Sequence, residues 1–166
     1  MKLVEPSVEY IPQGEGLVGV YQQIEKCART CYKSEKNITE VSAINLVRNL
    51  TLSEHYAMLE HGTVYLKISI PKKAWHKDIV DKYYHNPYSK VNNTFDDYDY
   101  HYFITTNYRV IEENSWADDL KYQCEPTEYH KKRYTFRFTT SRGIANELVR
   151  HRVFSFAQES SRQWRH

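Results

Sequence analysis

The sequence predicts an α+β fold, with helices packed on a curved, mostly antiparallel sheet. Three observations predict it. Val64, Leu66, Ile68 and Ile70 alternate with Thr63, Tyr65, Lys67 and Ser69, and period two marks a strand with one buried face. Leu17, Tyr21, Ile24 and Ala28 recur at helical spacing between Leu17 and Thr30. Tyr134, Phe136 and Phe138 all face one way within a further strand, Arg133 to Thr140.

The remaining elements follow in order. Pro6, Pro12, Gly14 and Gly16 make the first sixteen residues an extended arm or strand followed by a loop. Thr39 is placed to cap a second helix that carries Val41, Ile44, Val47 and Leu50 on one stripe. His55 to His61 is a short segment leading into the alternating strand, which Pro71 ends. The polar, Asn- and Tyr-rich stretch that follows is long for a plain connection and reads as part of an insertion over about 71–132 in one domain spanning 1–166. Within it lie a helix near Ala74 to Tyr84, a strand from His101 to Thr106 and a helix from Tyr108 to about Leu120. Ser141 is placed to cap a last helix, from about Gly143 to Arg152.

Composition narrows the function classes. The chain has 166 residues, 40% hydrophobic and 27% charged, which suits one soluble globular domain. A net charge of +2 does not predict a nucleic-acid coat or a membrane-surface protein. No apolar run approaches the roughly 20 residues needed to span a bilayer. The cysteines Cys27, Cys31 and Cys124 are odd in number, with neither zinc nor disulfide spacing. Free thiols without a signal peptide fit the cytoplasm. The tyrosines between Tyr83 and Tyr134 read as packing and interface residues. Base stacking of single-stranded nucleic acid is disfavoured there, because Asp96, Asp97, Asp99, Glu112, Glu113, Asp118 and Asp119 would repel the phosphates.

One local bias is informative. From Lys131 to the C-terminus, Lys131, Lys132, Arg133, Arg137, Arg142, Arg150, Arg152, Arg162 and Arg165 face only Glu147 and Glu159. Within Glu147–Arg162, guanidinium groups cluster with Ser155, Ser160 and Ser161, a donor set suited to a phosphate or pyrophosphate. Arg150 and Arg152 diverge by roughly 200° on a helix, so they serve two neighbouring sites or the helix stops there. The bland alternative is a solvated helix face with ordinary pairs such as Glu147 with Arg150. Ser160 has no general base placed to activate it, so it reads as a phosphate or nucleotide ligand rather than a nucleophile.

Arg150-His151-Arg152, followed after seven residues by Ser160 and then Arg162, resembles the signature of the flavin-dependent thymidylate synthases. His55-Tyr56-Ala57-Met58-Leu59-Glu60-His61 before the alternating strand resembles a second segment of that family. Ala28-Arg29-Thr30-Cys31-Tyr32 resembles the end of its first helix. The three patches occur in the family's order. The resemblance implies that the chain methylates dUMP to dTMP, taking the one-carbon unit from methylenetetrahydrofolate and the hydride from FAD reduced by NADPH. It implies a homotetramer with sites built across interfaces. It places Arg150 at the junction of flavin and nucleotide, and His55, His151, Arg152, Gln158 and Cys31 at the flavin. Glu147, Arg150, Ser160, Ser161 and Arg162 fall at the nucleotide, with Arg150, Ser160 and Arg162 closest to the chemistry. No metal is implied. No cysteine lies in the signature, unlike the thymidylate synthases that attack uracil with a thiolate. For His61 a structural hydrogen bond is the better expectation; for Glu60 a capping role is as fitting as a ligand role. Family members continue well past the signature, with another arginine for dUMP and further flavin contacts. The chain stops four residues after Arg162 and is expected to lack that segment.

Overall fold

The computed structural model describes residues 5–74, 78–151 and 153–159. The elements are β1 (Ser7–Ile11), α1 (Gly16–Tyr32), a 3-10 turn Glu35–Asn37, α2 (Ser42–Leu52), a 3-10 turn Tyr56–His61, β2 (Thr63–Pro71) and α3 (Asp78–Tyr84). They continue with β3 (Lys90–Phe95), β4 (Asp99–Asn107), α4 (Tyr108–Glu113), a 3-10 turn Ala117–Tyr122, β5 (Thr135–Thr139) and α5 (Arg142–Leu148). All strand pairs are antiparallel, in a three-stranded sheet ordered β2-β4-β3 and a two-stranded ribbon β1-β5. The fold is therefore α+β with antiparallel sheets and packed helices.

The core follows from the two periodicities. Val64, Leu66, Ile68 and Ile70 of β2 are buried together with Tyr102 and Ile104 of β4. Against them pack Val20, Ile24 and Ala28 of α1, Val47 and Leu50 of α2, and Leu59 of the second 3-10 turn. Leu17 and Tyr21 lie half-buried at its margin. Each fully buried Leu or Ile contributes about 2 kcal/mol relative to exposure, so this burial holds α1, α2 and the second 3-10 turn against the sheet.

Residues 71–132, expected as an insertion, are built into this core. β4 is the central strand, and Val80, Tyr83, Ile104 and Ile111 are buried. The Tyr83 hydroxyl donates to Asp119 at 2.6 Å, and Lys82 reaches the same carboxylate oxygen at 2.5 Å while lying 4.8 Å from the centre of the Trp116 ring. A buried phenol is thereby given an acceptor, which is what allows it into the core.

Several boundaries differ from expectation. Thr39 does not cap α2; the helix begins at Ser42, whose hydroxyl accepts the Thr39 N–H at 2.8 Å and donates to the Thr39 carbonyl at 3.0 Å. Of the expected stripe, Val47 and Leu50 are buried, but Val41 and Ile44 are 64% and 54% exposed and Ala43 takes the inward position. The helix from Tyr108 stops at Glu113, and the chain turns at Ser115, whose φ of 57° is left-handed. The strand β3 was not foreseen. Ser141 does cap α5, accepting the Ile144 N–H at 3.4 Å.

The ribbon turns an apolar face outward. Val8 pairs with Phe138 and Tyr10 with Phe136, so all four share a face, and each is at least half exposed. The opposite face carries the Glu9–Arg137 ion pair at 2.7 Å. No helix among the described residues is long and apolar enough to cross a membrane.

Candidate functional site

Three segments far apart in sequence meet on one surface. The first is the end of α1. Lys33 takes the left-handed conformation (φ 51°), and the Ser34 N–H returns to the Arg29 carbonyl at 3.0 Å. This closes the helix and leaves Cys31 and Lys33 beside the third segment. Arg29 is held at 2.7 Å by the buried Glu25. The second segment is the turn Tyr56–His61, with His55 exposed just before it. The third is the extended stretch after α5.

That stretch is anchored at four points. The Ser155 hydroxyl donates to Glu60 at 2.7 Å. The Phe156 backbone hydrogen-bonds His61. The Cys31 thiol donates to the Gln158 carbonyl at 3.0 Å, and Lys33 pairs with Glu159. A weaker contact, 3.4 Å from the Tyr32 hydroxyl to His55 Nδ1, ties the first segment to the second. Ser155 and Glu60 are 95 residues apart, and Cys31 and Gln158 are 127 apart.

The signature residues fare differently. The helix expected to reach Arg152 stops at Leu148, so Arg150 lies two residues past its end, exposed, and pairs with Glu147 at 3.2 Å. His151 is exposed, and Gln158 Nε2 reaches Asn146 at 3.4 Å. Arg152, Ser160, Ser161 and Arg162 lie outside the described residues. Arg150 and His151 are thus solvent-facing donors at the end of α5, next to the anchored stretch. A guanidinium and one imidazole at this end suit an anionic ligand, with Glu147 already paired to the guanidinium; among the described residues no hydrogen bond or ion pair joins Arg150 or His151 to His55.

Two cavities lie elsewhere. One, of about 240 Å³, sits between the ribbon and the edge of β2, lined by Tyr10, Gln13, Tyr65, Glu125 and Arg133 among others. The other, of about 260 Å³, is lined by Tyr84, Asn93, Tyr100 and Tyr102. Both are smaller than pockets that enclose a drug-sized ligand, roughly 300 Å³ or more. Among the described residues no group of three or more His, Cys, Asp or Glu side chains could hold a metal ion.

Two other clusters have structural explanations. Ser69 Oγ lies 2.8 Å from His101 Nδ1, and His101 Nε2 lies 2.9 Å from Asp96. Hydrogen bonds from the Asp99 backbone, from His101 and from the Tyr98 backbone hold the Asp96 carboxyl well below the usual carboxylate range. The three span the β3–β4 turn and a cross-strand pair on the solvent face, and line neither cavity. Cys124 lies 3.9 Å from His130. His130 cannot activate it: its Nε2 donates to the Leu66 carbonyl at 3.2 Å and its Nδ1 accepts the Thr127 N–H at 3.0 Å, which fixes the neutral tautomer. Burial pushes the Cys124 thiol up, and pushes Cys27 up to about 12. Neither is a ready thiolate.

His61 makes one structural hydrogen bond, to the Phe156 backbone, while its Nε2 is buried without a partner. Burial lowers the pKa of both His61 and His130 from the ordinary 6.5. Each is neutral in the fold and binds protons more readily unfolded, so their stabilisation is complete above that value and is lost as pH falls below it. Denaturant midpoints measured at about pH 7.5 and about pH 5.5 should fall with pH, and the fall should be smaller in His61→Gln.

Sequence reasoning did not find Arg109 or Lys33. Arg109 reaches Glu60 across 49 residues, and nothing local marks such a pair. Known protein families, characterised proteins and solved structures give no match to the chain.

Proposed function

We propose that the chain carries the flavin- and nucleotide-binding part of a flavin-dependent thymidylate synthase, acting on dUMP with methylenetetrahydrofolate and NADPH. The observation that supports this most is the convergence of Ala28–Tyr32, His55–His61 and the stretch after Arg150, the three patches that carry the resemblance. Patches chosen by resemblance alone have no reason to touch, yet they do so through Cys31, Glu60, His61, Ser155 and Gln158.

In this reading FAD would be held by His55, His151, Arg152 and Gln158, with Cys31 as a wall residue, and it supplies the hydride that completes the methyl group. Arg150 would sit where flavin and nucleotide meet. A guanidinium stays charged at any working pH, forks onto phosphate, and stabilises negative charge on a uracil oxygen. Glu147 accepts a hydrogen bond from one arm of that guanidinium at 3.2 Å. Ser160, Ser161 and Arg162 would take the phosphate of dUMP. Such an open surface needs a cover to exclude water, which a second subunit provides in a homo-oligomer, the tetramer of the resemblance.

The exposed aromatic face of the ribbon supports assembly, since a contiguous apolar patch on a soluble chain marks an interaction surface. Phe138→Asp should lower the mass measured by light scattering without lowering the melting temperature; an unchanged mass would remove the ribbon from the interface.

Purified protein titrated with FAD, followed by tritium release from dUMP labelled at carbon 5 with NADPH and methylenetetrahydrofolate present, tests the function. Flavin binding with tritium release supports the enzyme, and flavin binding without release supports a non-catalytic flavin- and nucleotide-binding module. Absence of flavin binding sinks both.

A further inference from the structure

We infer that Arg109 is a positioning residue for the signature stretch, acting through Glu60 and Ser155; this rests on the proposed flavin reading. Arg109 lies on α4, in the region that carries no resemblance. Its guanidinium joins two carboxylates: Nε and Nη2 each lie 2.8 Å from Glu113, and Nη1 lies 2.5 Å from Glu60. The pairing with Glu113 and Glu60 pushes the Arg109 pKa further up, so the charge is permanent. The second oxygen of Glu60 accepts the Ser155 hydroxyl at 2.7 Å. One carboxylate therefore has both oxygens committed, one to the scaffold and one to the stretch that follows Arg150 and His151.

The geometry assigns each member a distinct task. Glu60 comes from a 3-10 turn, a weakly held element whose side chain would otherwise sample several rotamers. Arg109 fixes that rotamer from α4, which is itself capped by Asn107 accepting the Val110 N–H at 3.0 Å. Ser155 then finds a charged acceptor at a set position, and a charge-assisted hydrogen bond sets the register of the chain around it. The adjacent residues Glu60 and His61 engage the adjacent residues Ser155 and Phe156, so a slip by one residue would break both contacts. Loss of Arg109 frees Glu60 and lets the stretch lift, carrying Gln158 away from Cys31.

The test uses Arg109→Gln, Arg109→Lys, Ser155→Ala and the Arg109→Gln/Ser155→Ala double variant of the full chain. Amide hydrogen exchange without any ligand is the first measurement. Residues 153–159 should exchange faster in Arg109→Gln, with the core strand β2 unchanged; unchanged exchange there overturns the relay. The FAD dissociation constant is the second. Arg109→Gln and Ser155→Ala should each weaken FAD by about tenfold or more, Arg109→Lys should recover part of the loss, and the double variant should be no weaker than the worse single. Wild-type-like FAD affinity in Arg109→Gln, or losses that multiply in the double variant, overturn the positioning role. If the wild-type chain binds no FAD, the flavin reading falls, and the exchange measurement alone decides whether Arg109 holds the stretch.

Discussion

Arg150→Ala should weaken binding of dUMP and FAD by about 10- to 150-fold while leaving the fold almost as stable as before. The binding loss corresponds to about 1.5–3 kcal/mol for a hydrogen bond to a charged group. The small stability effect follows from the position of the side chain. Arg150 and Glu147 are 73% and 66% exposed, and surface pairs of that kind contribute on the order of 0.5 kcal/mol. The two measurements therefore separate. An arginine that merely decorates a helix face would leave both ligand affinity and melting temperature nearly unchanged; one that grips an anion would change only the first. Isothermal titration with dUMP and FAD, beside a thermal melt, distinguishes these. Arg150→Lys should recover only part of the affinity, because an ammonium keeps the charge and loses the fork. Unchanged affinity for both ligands in Arg150→Ala would remove Arg150 from the site.

Gly19→Ala should destabilise the chain by about 3 kcal/mol, the upper end of what overpacking costs. An exchange of glycine for alanine inside a helix normally stabilises by roughly 0.5–1 kcal/mol, so the expected sign is reversed. A Cβ at residue 19 would lie 1.9 Å from the Gly14 carbonyl oxygen and 2.1 Å from its carbon. Both are backbone atoms, and no rotamer change relieves the clash. The loop before α1 is also held in place, because Gln13 exchanges two hydrogen bonds of 2.8 Å with the Thr63 backbone and the Gly16 N–H donates to Glu125 at 2.9 Å. Gly16 itself has a φ of +62°, where a side chain is strained. Shifting the loop would break these links to β2 and to the segment after the last 3-10 turn. Denaturant unfolding checks the prediction; a midpoint equal to or above that of the wild type would show that the loop yields freely.

The strands and helices that sequence reasoning found were those with strong periodicity. β2, α1 and β5 each carry an unbroken alternation or a helical stripe, and each formed near its expected limits. β3 was missed because Lys90, Asn92 and Asn93, which disfavour strands, interrupt Val91, Thr94 and Phe95 and leave no alternation, in a partly exposed edge position. It forms because β4 offers a partner, as the register Val91 with Ile104 and Phe95 with Tyr100 attests. The α4 boundary was missed because Trp116 and Leu120 beyond Glu113 retain helical spacing, while Ser115 takes a left-handed turn and the next residue, Trp116, packs 4.9 Å from the Tyr83 ring.

By itself the sequence determined the α+β class, the alternating strand and the first helix, because side-chain period and local residue type suffice for these. Tertiary structure alone decided that residues 71–132 supply the central strand and that the three patches touch. It also decided that Glu60 is gripped by Arg109 from 49 residues away. Hydrogen bonds and ion pairs act over about 3 Å, and which groups come that close depends on how whole elements pack, a property that no window along the chain contains.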